Sequence, residues 1–316
     1  MSQSVTGASH EARPTSSTAP VSVLIPALNE RLNLRSAIES VKWADEVWVI
    51  DSRSTDGTQE IAVACGARVV QFDYSGKGPK KKNWALENLH LKNEWVLILD
   101  ADERVTPDLE QEIRDVTRRT DLDGFYLDRE YVFLGRSLNS FRPNWNLRLF
   151  KHRLGRYEPL ATNTANTGDN EVHEHIVLSG KAGYLRAPLL HDDKRPLRAW
   201  VENHNRYSEW EAEVYSQLLQ EPINLGRIFS TDSVWRRRIL KRVWVRMPCR
   251  PFGRFLLFYL FRRGFMDGRQ GFWYSVLMGY YEFLISLKSR ELARAKNRQA
   301  GRAALTEHSI GETPHA

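Results

Sequence analysis

Two acidic residues at one point of the chain have the spacing of a metal-binding pair. Asp100 and Asp102 are separated by one alanine and follow an apolar run, Trp95 to Leu99. Side chains at i and i+2 of an extended chain point the same way, so we expect both carboxylates to reach one cation. Hard oxygen ligands suit Mg²⁺ or Mn²⁺, which retain waters and bridge to substrate phosphates. The alternative is that the acids only cap the next helix.

Two other polar clusters also follow predicted strands, namely Asn29-Glu30 and Asp51-Ser52. Ligands of doubly wound sheets bind at the carboxyl ends of the strands, so all three clusters belong to one candidate site. An acid at the position of Asp51 commonly accepts a hydrogen bond from a base or ribose. A turn is the alternative for Asp51, and we assign only that structural role to Asp56.

Four lysines precede a predicted helix within residues 76–83. Such a cluster can neutralise a diphosphate, and Lys82 and Asn83, nearest the helix, are the preferred contacts. Solvated positions at a helix start are the alternative for the other lysines. The glycine spacing and the missing Lys-Ser/Thr pair exclude a Walker loop.

The elements that position these residues alternate between strand and helix over residues 21–116. Leu34, Ala37, Ile38 and Val41 recur with helical spacing, and Thr106 with Pro107 has the pattern of a helix start. This alternation predicts an α/β fold with a mainly parallel, doubly wound sheet and helices on both faces. Shorter β-rich pieces follow over residues 124–190, and a long amphipathic helix follows from Leu197 to Leu218.

Composition bounds the class of protein. The 316 residues are 41% hydrophobic, the mean hydropathy is −0.50, and the longest apolar run has seven residues. A bilayer-spanning helix needs about 20, so we expect none. Cys65 and Cys249 have no metal-ligand spacing, so neither a disulfide framework nor a zinc site is predicted, and a reducing cytoplasm is favoured.

The net charge of +7 is concentrated near the C-terminus. Residues 235–263 contain ten Lys or Arg and no acid, which leaves 7 − 10 = −3 for the rest of the chain. We expect a disordered leader at 1–20 without a signal peptide, and a catalytic domain at 21–220. Its nucleotide-binding half is 21–120 and its acceptor half is 121–220. A helical, basic and aromatic extension follows at 221–290, then a polar tail at 291–316.

The ordered motifs VSVLIPALNE, VIDSRSTDGT, KKNWA and WVLILDADERVTP resemble family 2 glycosyltransferases of the GT-A fold over about residues 21–290. DADERVTP, NLRLFK, EVHEHI and RRGFMDGRQGF resemble the lipopolysaccharide-core β-1,4-glucosyltransferase branch. The resemblance implies a DXD motif at Asp100 and Asp102 that holds the donor diphosphate through a metal. It also implies a nucleoside pocket for uridine lined by Pro26, Asn29, Glu30 and Asp51.

The branch usually has glycine where this chain has Arg53. That departure would narrow the nucleotide pocket or add a cation beside the phosphates. Inverting sugar transfer needs a base for the acceptor hydroxyl, and the resemblance makes Glu174 the candidate. A carboxylate paired with Arg148 or another cation is the alternative. His173 would orient Glu174 or contact phosphate, and His191 would supply a third metal ligand.

Basic residues alternate with aromatic ones in the C-terminal segment. Such amphipathic cationic stretches lie on anionic membrane surfaces, and we expect residues 235–287 to do so. An ordinary core under the catalytic domain is the alternative. Ten cations would also attract nucleic acid, but no nucleic-acid-binding motif accompanies them, so no such partner is expected.

The sequence therefore predicts an inverting, metal-dependent hexosyltransferase, peripheral on the cytoplasmic face of a bacterial inner membrane. Its donor would be a UDP-sugar and its acceptor a lipid-linked or lipopolysaccharide-core saccharide. A sugar-1-phosphate nucleotidyltransferase is an alternative, but such enzymes typically have a Gly-rich N-terminal loop, which this sequence lacks. A catalytically inactive membrane-binding scaffold on the same fold is another, which the acid pair and Glu174 argue against.

Overall fold

Short apolar strands form the centre of the molecule. A computed structural model describes residues 18–74, 79–158, 175–220 and 233–310. The strands are β1 Ala19–Ala27, β2 Ala44–Asp51, β3 Arg68–Gln71, β4 Trp95–Ile98, β5 Glu103–Val105, β6 Gly124–Phe133, β7 Arg136–Ser137, β8 Trp145–Lys151, β9 Gly155–Tyr157, β10 Ile176–Leu178 and β11 Ala182–His191.

Within the described residues, one mixed sheet has the strand order β3-β2-β1-β4-β8-β6-β11-β5, and β7 pairs with β6. The first four strands are parallel, as the alternation of strand and helix predicts. β8 runs antiparallel between β4 and β6, and β5 antiparallel beside β11. A separate two-stranded sheet joins β9 to β10. The sheet is therefore parallel over β3, β2, β1 and β4 and mixed over the remaining strands.

Eight α-helices occur in the described ranges. They are α1 Leu34–Glu39, α2 Thr58–Ala64, α3 Lys81–Asn88, α4 Pro107–Val116, α5 Leu197–Gln220, α6 Ser233–Arg246, α7 Arg250–Leu256 and α8 Gly268–Ile310. Thr106 caps α4 by accepting a hydrogen bond from the Leu109 N–H at 3.2 Å, as its sequence pattern predicts. The helix predicted to follow the four lysines begins at Lys81, which places Lys81 and Lys82 in its first turn.

Both faces of the sheet are covered, because successive residues of each central strand enter opposite cores. Ile25 and Leu97 belong to the core beneath α1, α2 and α4, whereas Leu24 and Ile98 belong to the core beneath α3. All four side chains are almost completely buried. This explains why these strands are continuously apolar rather than alternating in polarity.

The C-terminal extension is helical and packs against α5. Tyr215, Val245 and Ile285 form a small core between α5, α6 and α8. Buried Glu282 accepts a hydrogen bond from Arg254 at 2.7 Å and lies 3.7 Å from Arg250. Two of the ten clustered cations therefore point inward, which the sequence did not indicate.

Exposed apolar side chains remain on the outer side of this extension. α8 continues through the predicted polar tail to Ile310, where residues with high helix propensity are frequent. None of the helices in the described ranges is both long and apolar enough to cross a membrane. The exposed side chains include Phe252, Leu260, Phe261, Phe265, Met266, Phe272, Trp273, Tyr280, Phe283 and Leu287.

Candidate active site

A cavity of about 1440 Å³ opens at the carboxyl ends of β1 and β4. It is larger than the roughly 300–1,000 Å³ typical of a pocket for one small molecule. One wall is polar and comes from the strand ends, including Pro26, Asn29, Glu30 and Asp100. The other wall is aromatic and comes largely from α5 and α8.

The acid pair lies at the floor of this cavity, but its backbone is not extended. Ala101 and Asp102 form a turn between β4 and β5, because β5 pairs antiparallel with β11 at the far edge of the sheet. The expectation that alternation along a strand aims both carboxylates the same way is therefore wrong. Asp100 and Asp102 contact different partners.

Asp100 is neutralised by cations from two neighbouring elements. Its carboxylate oxygens lie 2.6 Å from Arg148 Nη2 and 3.1 Å from Lys82 Nζ. Burial alone would raise the pKa of Asp100, but Arg148, Lys82 and Arg129 outweigh burial and hold that pKa well below its usual range. Asp100 is therefore an anion at any physiological pH.

Glu103 completes a buried charge network that the sequence analysis missed. Its side chain is fully buried, accepts a hydrogen bond from the Asp100 N–H at 2.9 Å, and lies 2.9 Å from Arg148 Nη2. Arg129 on β6 approaches the same carboxylate at 3.4 Å. Burial raises the pKa of Glu103, and the two guanidinium groups oppose that rise. The network fixes the turn that carries Asp102.

Asp102 has a histidine partner at the end of β11. His191 Nδ1 lies 3.3 Å from Asp102 Oδ1. A backbone hydrogen bond from Asp192 to the Asp102 carbonyl, 2.9 Å long, holds the two segments together. Burial would lower the pKa of His191, but the Asp102 carboxylate outweighs burial and raises it. The two residues predicted as metal ligands therefore lie side by side, and their binding of a metal stays a prediction.

The chemistry of Asp102 and His191 fits a divalent cation. His191 Nδ1 is buried without a hydrogen-bond partner and lies 3.3 Å from Asp102 Oδ1, so this nitrogen and a carboxylate oxygen would be available side by side to a cation. Among the residues whose positions are described, no three His, Cys, Asp or Glu side chains converge as a complete metal cluster. Mg²⁺ and Mn²⁺ sites need only one or two protein carboxylates when substrate phosphates and waters complete them. Asp100 remains a predicted ligand whose oxygens contact Lys82 and Arg148.

Glu30 and Arg195 form the next part of the polar wall. Arg195 Nη1 lies 2.9 Å from Glu30, and its Nη2 lies 2.8 Å from Asp193 and 3.8 Å from Asp102. Burial raises the pKa of Glu30 to about 7, although Arg195 acts to lower it. Arg195 was missed because nothing in its local sequence separates it from other surface arginines.

The remaining predicted nucleoside residues take different positions. Pro26 and Asn29 line the cavity. Asn29 has a φ of 56°, and its side-chain carbonyl accepts the Thr55 N–H at 2.9 Å. Asp51 is fully buried and does not line the cavity, since its carboxylate accepts hydrogen bonds from Ser54 and Gln71. A nucleoside contact of Asp51 stays a prediction.

Lys82 and Asn83, adjacent in sequence, have different roles. Lys82 lines the cavity beside Asp100, with an 11% exposed side chain. The amide of Asn83 instead exchanges hydrogen bonds of 2.8 and 2.9 Å with the backbone of Tyr157. Both ends of the Asn83 side chain are therefore engaged in joining α3 to β9, and the side chain does not line the cavity. The structure corrects the expectation of a phosphate contact at this residue.

Arg53 points away from the cavity. Its guanidinium contacts Asp73 on the surface, at 2.6 Å for Nη2, and its backbone has a φ of 54°. Glycine adopts this left-handed conformation without strain, which explains why it suits the position. Arg53 is not among the residues that line the cavity, so it neither narrows the cavity nor adds a cation to it. The candidate base Glu174 and its neighbour His173 lie outside the described residues.

The mixed sheet, covered by helices on both faces, and the acid pair at the end of β4 define an α/β protein of the GT-A class. The chain belongs to glycosyl transferase family 2, whose family model matches residues 22–186, more than half of its length. This confirms the predicted family resemblance.

Curated relatives are similar over most of the chain. An uncharacterized glycosyltransferase of Rickettsia bellii (strain RML369-C) is 29% identical over 289 residues, covering 87% of this chain and 88% of the relative. The lipopolysaccharide core biosynthesis glycosyltransferase LpsC of Rhizobium meliloti (strain 1021) is 28% identical over 235 residues, covering 69% and 83%. Among solved structures, the mannosyltransferase PcManGT of Pyrobaculum calidifontis, in complex with GDP-Man and Mn²⁺, is 15% identical with a TM-score of 0.44. That match covers 86% of this chain and 87% of the other.

Proposed function

We propose that this chain is an inverting glycosyltransferase that moves a hexose from a UDP-sugar to a saccharide acceptor. The observation that carries the proposal is the Asp102–His191 pair at 3.3 Å, beside Lys82 and Asp100 on the cavity floor. Carboxylate and imidazole groups beside an ammonium group would suit a diphosphate bound through a divalent cation.

In the donor half, Pro26, Asn29 and Glu30 would line the nucleoside end of the cavity. A divalent cation held by Asp102 and His191, next to Asp100, would polarise the sugar diphosphate and stabilise the nucleoside diphosphate as it leaves. Lys82 would exchange its contact with Asp100 for a phosphate oxygen, because both are anionic partners for its ammonium group. Arg195 would place a second cation on the opposite side.

In the acceptor half, Glu174 would take the proton of the acceptor hydroxyl, with His173 orienting it. The hydroxyl oxygen would form the new bond to the anomeric carbon, and the bond from that carbon to the diphosphate would break. Arg148 Nη2 contacts Asp100 and Glu103. The likeness to LpsC supports a lipid-linked or lipopolysaccharide-core acceptor.

The outer side of the helical extension would contact an anionic membrane from the cytoplasm. Phe261, Met266 and Phe265 expose 78%, 62% and 51% of their surface, close in sequence to Arg262 and Arg263. Apolar side chains inserted among lipid headgroups, next to cations, are typical of peripheral membrane binding. Such contact would bring the cavity to a membrane-embedded acceptor.

A screen of the purified chain against UDP- and GDP-sugars with Mn²⁺ or Mg²⁺ tests the proposal by following nucleotide release. Asp102→Ala should abolish release. Glu174→Gln should lose transfer and keep donor binding, whereas full transfer by that variant would remove Glu174 from the mechanism. No release from any donor, with a folded protein, would contradict the proposed activity.

A further inference from the structure

Helix α5 changes character along its length. Its buried residues are Ser208, Glu211, Ala212, Tyr215 and Ser216, all in the C-terminal part of the helix, where it packs on the extension. The first turns of α5 contain no buried residue, although the sequence pattern predicts that its apolar face begins at Leu197. That first part lines the cavity instead.

One stripe of this part of α5 faces the cavity with helical spacing. Trp200, Asn203, His204 and Tyr207 stand at i, i+3, i+4 and i+7, and all four line the cavity. The Trp200 and His204 rings are stacked with centroids 3.6 Å apart and 18° between their planes. Tyr281 of α8 meets the His204 ring edge-on at 5.0 Å. The result is an aromatic wall within the cavity.

His204 is neutral on this wall. Burial lowers the pKa of His204 to about 4. Its Nδ1 lies 2.9 Å from the Trp200 carbonyl oxygen, which can only accept, so Nδ1 carries the proton and Nε2 is the acceptor. Glu202, Asn203 and Arg206 add charged and amide groups to the same lining. The wall thus combines flat apolar surface with both hydrogen-bond donors and acceptors.

Pyranose rings need this combination, since they present C–H groups on their faces and hydroxyl groups around their edges. Flat aromatic side chains with a few polar groups are also how small-molecule pockets fix orientation. The wall lines the same cavity as Asp100 and Asp102, and Tyr207 is near enough to Asp102 and Arg195 for their charges to act on its pKa. A sugar on this wall would therefore lie beside the donor sugar.

We propose that Trp200, His204, Tyr207 and Tyr281 form the subsite for the acceptor saccharide, which binds by stacking a pyranose ring on the aromatic wall. This inference rests on the proposed function and adds the residues that select a carbohydrate acceptor. It does not depend on which hexose the donor carries.

Saturation-transfer NMR on the full chain, in the presence of UDP and diamagnetic Mg²⁺, tests the subsite. The aromatic protons are irradiated, and transfer is read on the ring protons of the methyl glycosides of glucose, galactose, mannose and a heptose. We expect transfer to at least one of them, with affinity about ten-fold weaker in Trp200→Ala, as the loss of one stacking partner implies. Trp200→Leu replaces that variant if it does not fold.

Tyr184→Ala is the matched control. Tyr184 also belongs to a stacked pair, with Tyr126 at 5.1 Å, but is 61% exposed and does not line the cavity. Its loss should leave the saccharide signal unchanged. Equal signals from the wild type and Trp200→Ala would overturn the subsite, as would no signal from any glycoside. UDP binding in the same samples separates the two proposals, because a chain that binds UDP but no saccharide keeps the proposed donor site and loses this acceptor subsite.

Discussion

Arg148 Nη2 lies 2.6 Å from Asp100 Oδ2, which joins β8 to the carboxyl end of β4 beneath the cavity. The contact follows from the register, since Leu149 of β8 lies opposite Leu97 of β4. The Arg148 guanidinium thus contacts the carboxylates of both Asp100 and the fully buried Glu103.

Removing this guanidinium should destabilise the fold. Arg148→Met leaves two carboxylates without their closest cation, and a broken buried pair costs about 3–5 kcal/mol. The free energy of unfolding from urea titration measures this cost. Arg35→Gln is the control, because the Arg35–Glu39 pair is half exposed and should contribute less than about 1 kcal/mol. A loss as small in Arg148→Met as in the control would contradict the network.

Substitutions of Lys82 and Asn83 should affect different properties of the protein. Lys82→Gln should weaken UDP binding by about ten-fold or more, since a charge-assisted hydrogen bond contributes about 1.5–3 kcal/mol. Asn83→Ala should leave the affinity for UDP unchanged and lower the stability by about 2 kcal/mol, through two lost hydrogen bonds to Tyr157. Calorimetric titration and thermal unfolding of both variants measure the two quantities. Weaker UDP binding by a stable Asn83→Ala would restore its predicted phosphate contact.

The position of Asp100 and Asp102 at the end of a buried strand was predictable because its signals are local. An apolar run followed at once by acids identifies the end of a buried strand, and Thr106 with Pro107 fixes the next helix start. The partners of the acids were not predictable. Arg148 lies 48 residues from Asp100 and reaches it only because β8 inserts between β4 and β6. No local pattern encodes that pairing.

The aromatic wall shows a second limit of sequence reasoning. Trp200, His204 and Tyr207 have the spacing of a core-facing stripe, and a cavity lining has the same spacing and residue types. Only the position of α8 opposite α5 decides which of the two forms. The ion pairs of Arg250 and Arg254 with buried Glu282 could not be predicted from the sequence either, because Glu282 lies outside the basic segment.

The free energy of unfolding should fall in acid because His204 becomes protonated. Its pKa is lowered from 6.5 to about 4, so the unfolded chain binds a proton between these values while the folded chain does not. This contribution is complete above about pH 6.5 and is lost as the pH falls toward 4, by at most about 3 kcal/mol. Urea unfolding of the wild type and His204→Phe at pH 7 and pH 4.5 isolates it. An equal fall in both proteins would show that His204 is not buried as a neutral ring.

Membrane contact should depend on an aromatic tip formed by the exposed side chains of Phe261 and Phe265. Phe261→Asp and Phe265→Asp should each weaken binding to vesicles containing phosphatidylglycerol by about ten-fold or more, because burying a phenylalanine contributes about 1.5–3 kcal/mol. Vesicle co-sedimentation at increasing salt measures this, and binding should weaken as salt screens the cations. Val63→Asp, at a position 65% exposed on α2, should bind like the wild type. Indistinguishable binding by all three variants would exclude the tip as the contact.

The central claim is that Asp102, with His191, holds a divalent cation that binds the donor diphosphate. Titration of UDP into the wild type and Asp102→Asn, each with and without Mn²⁺, tests it most directly. The account predicts tight binding by the wild type only with Mn²⁺, and no Mn²⁺-dependent gain in the variant. Equal Mn²⁺-dependent binding of UDP by both proteins would contradict it.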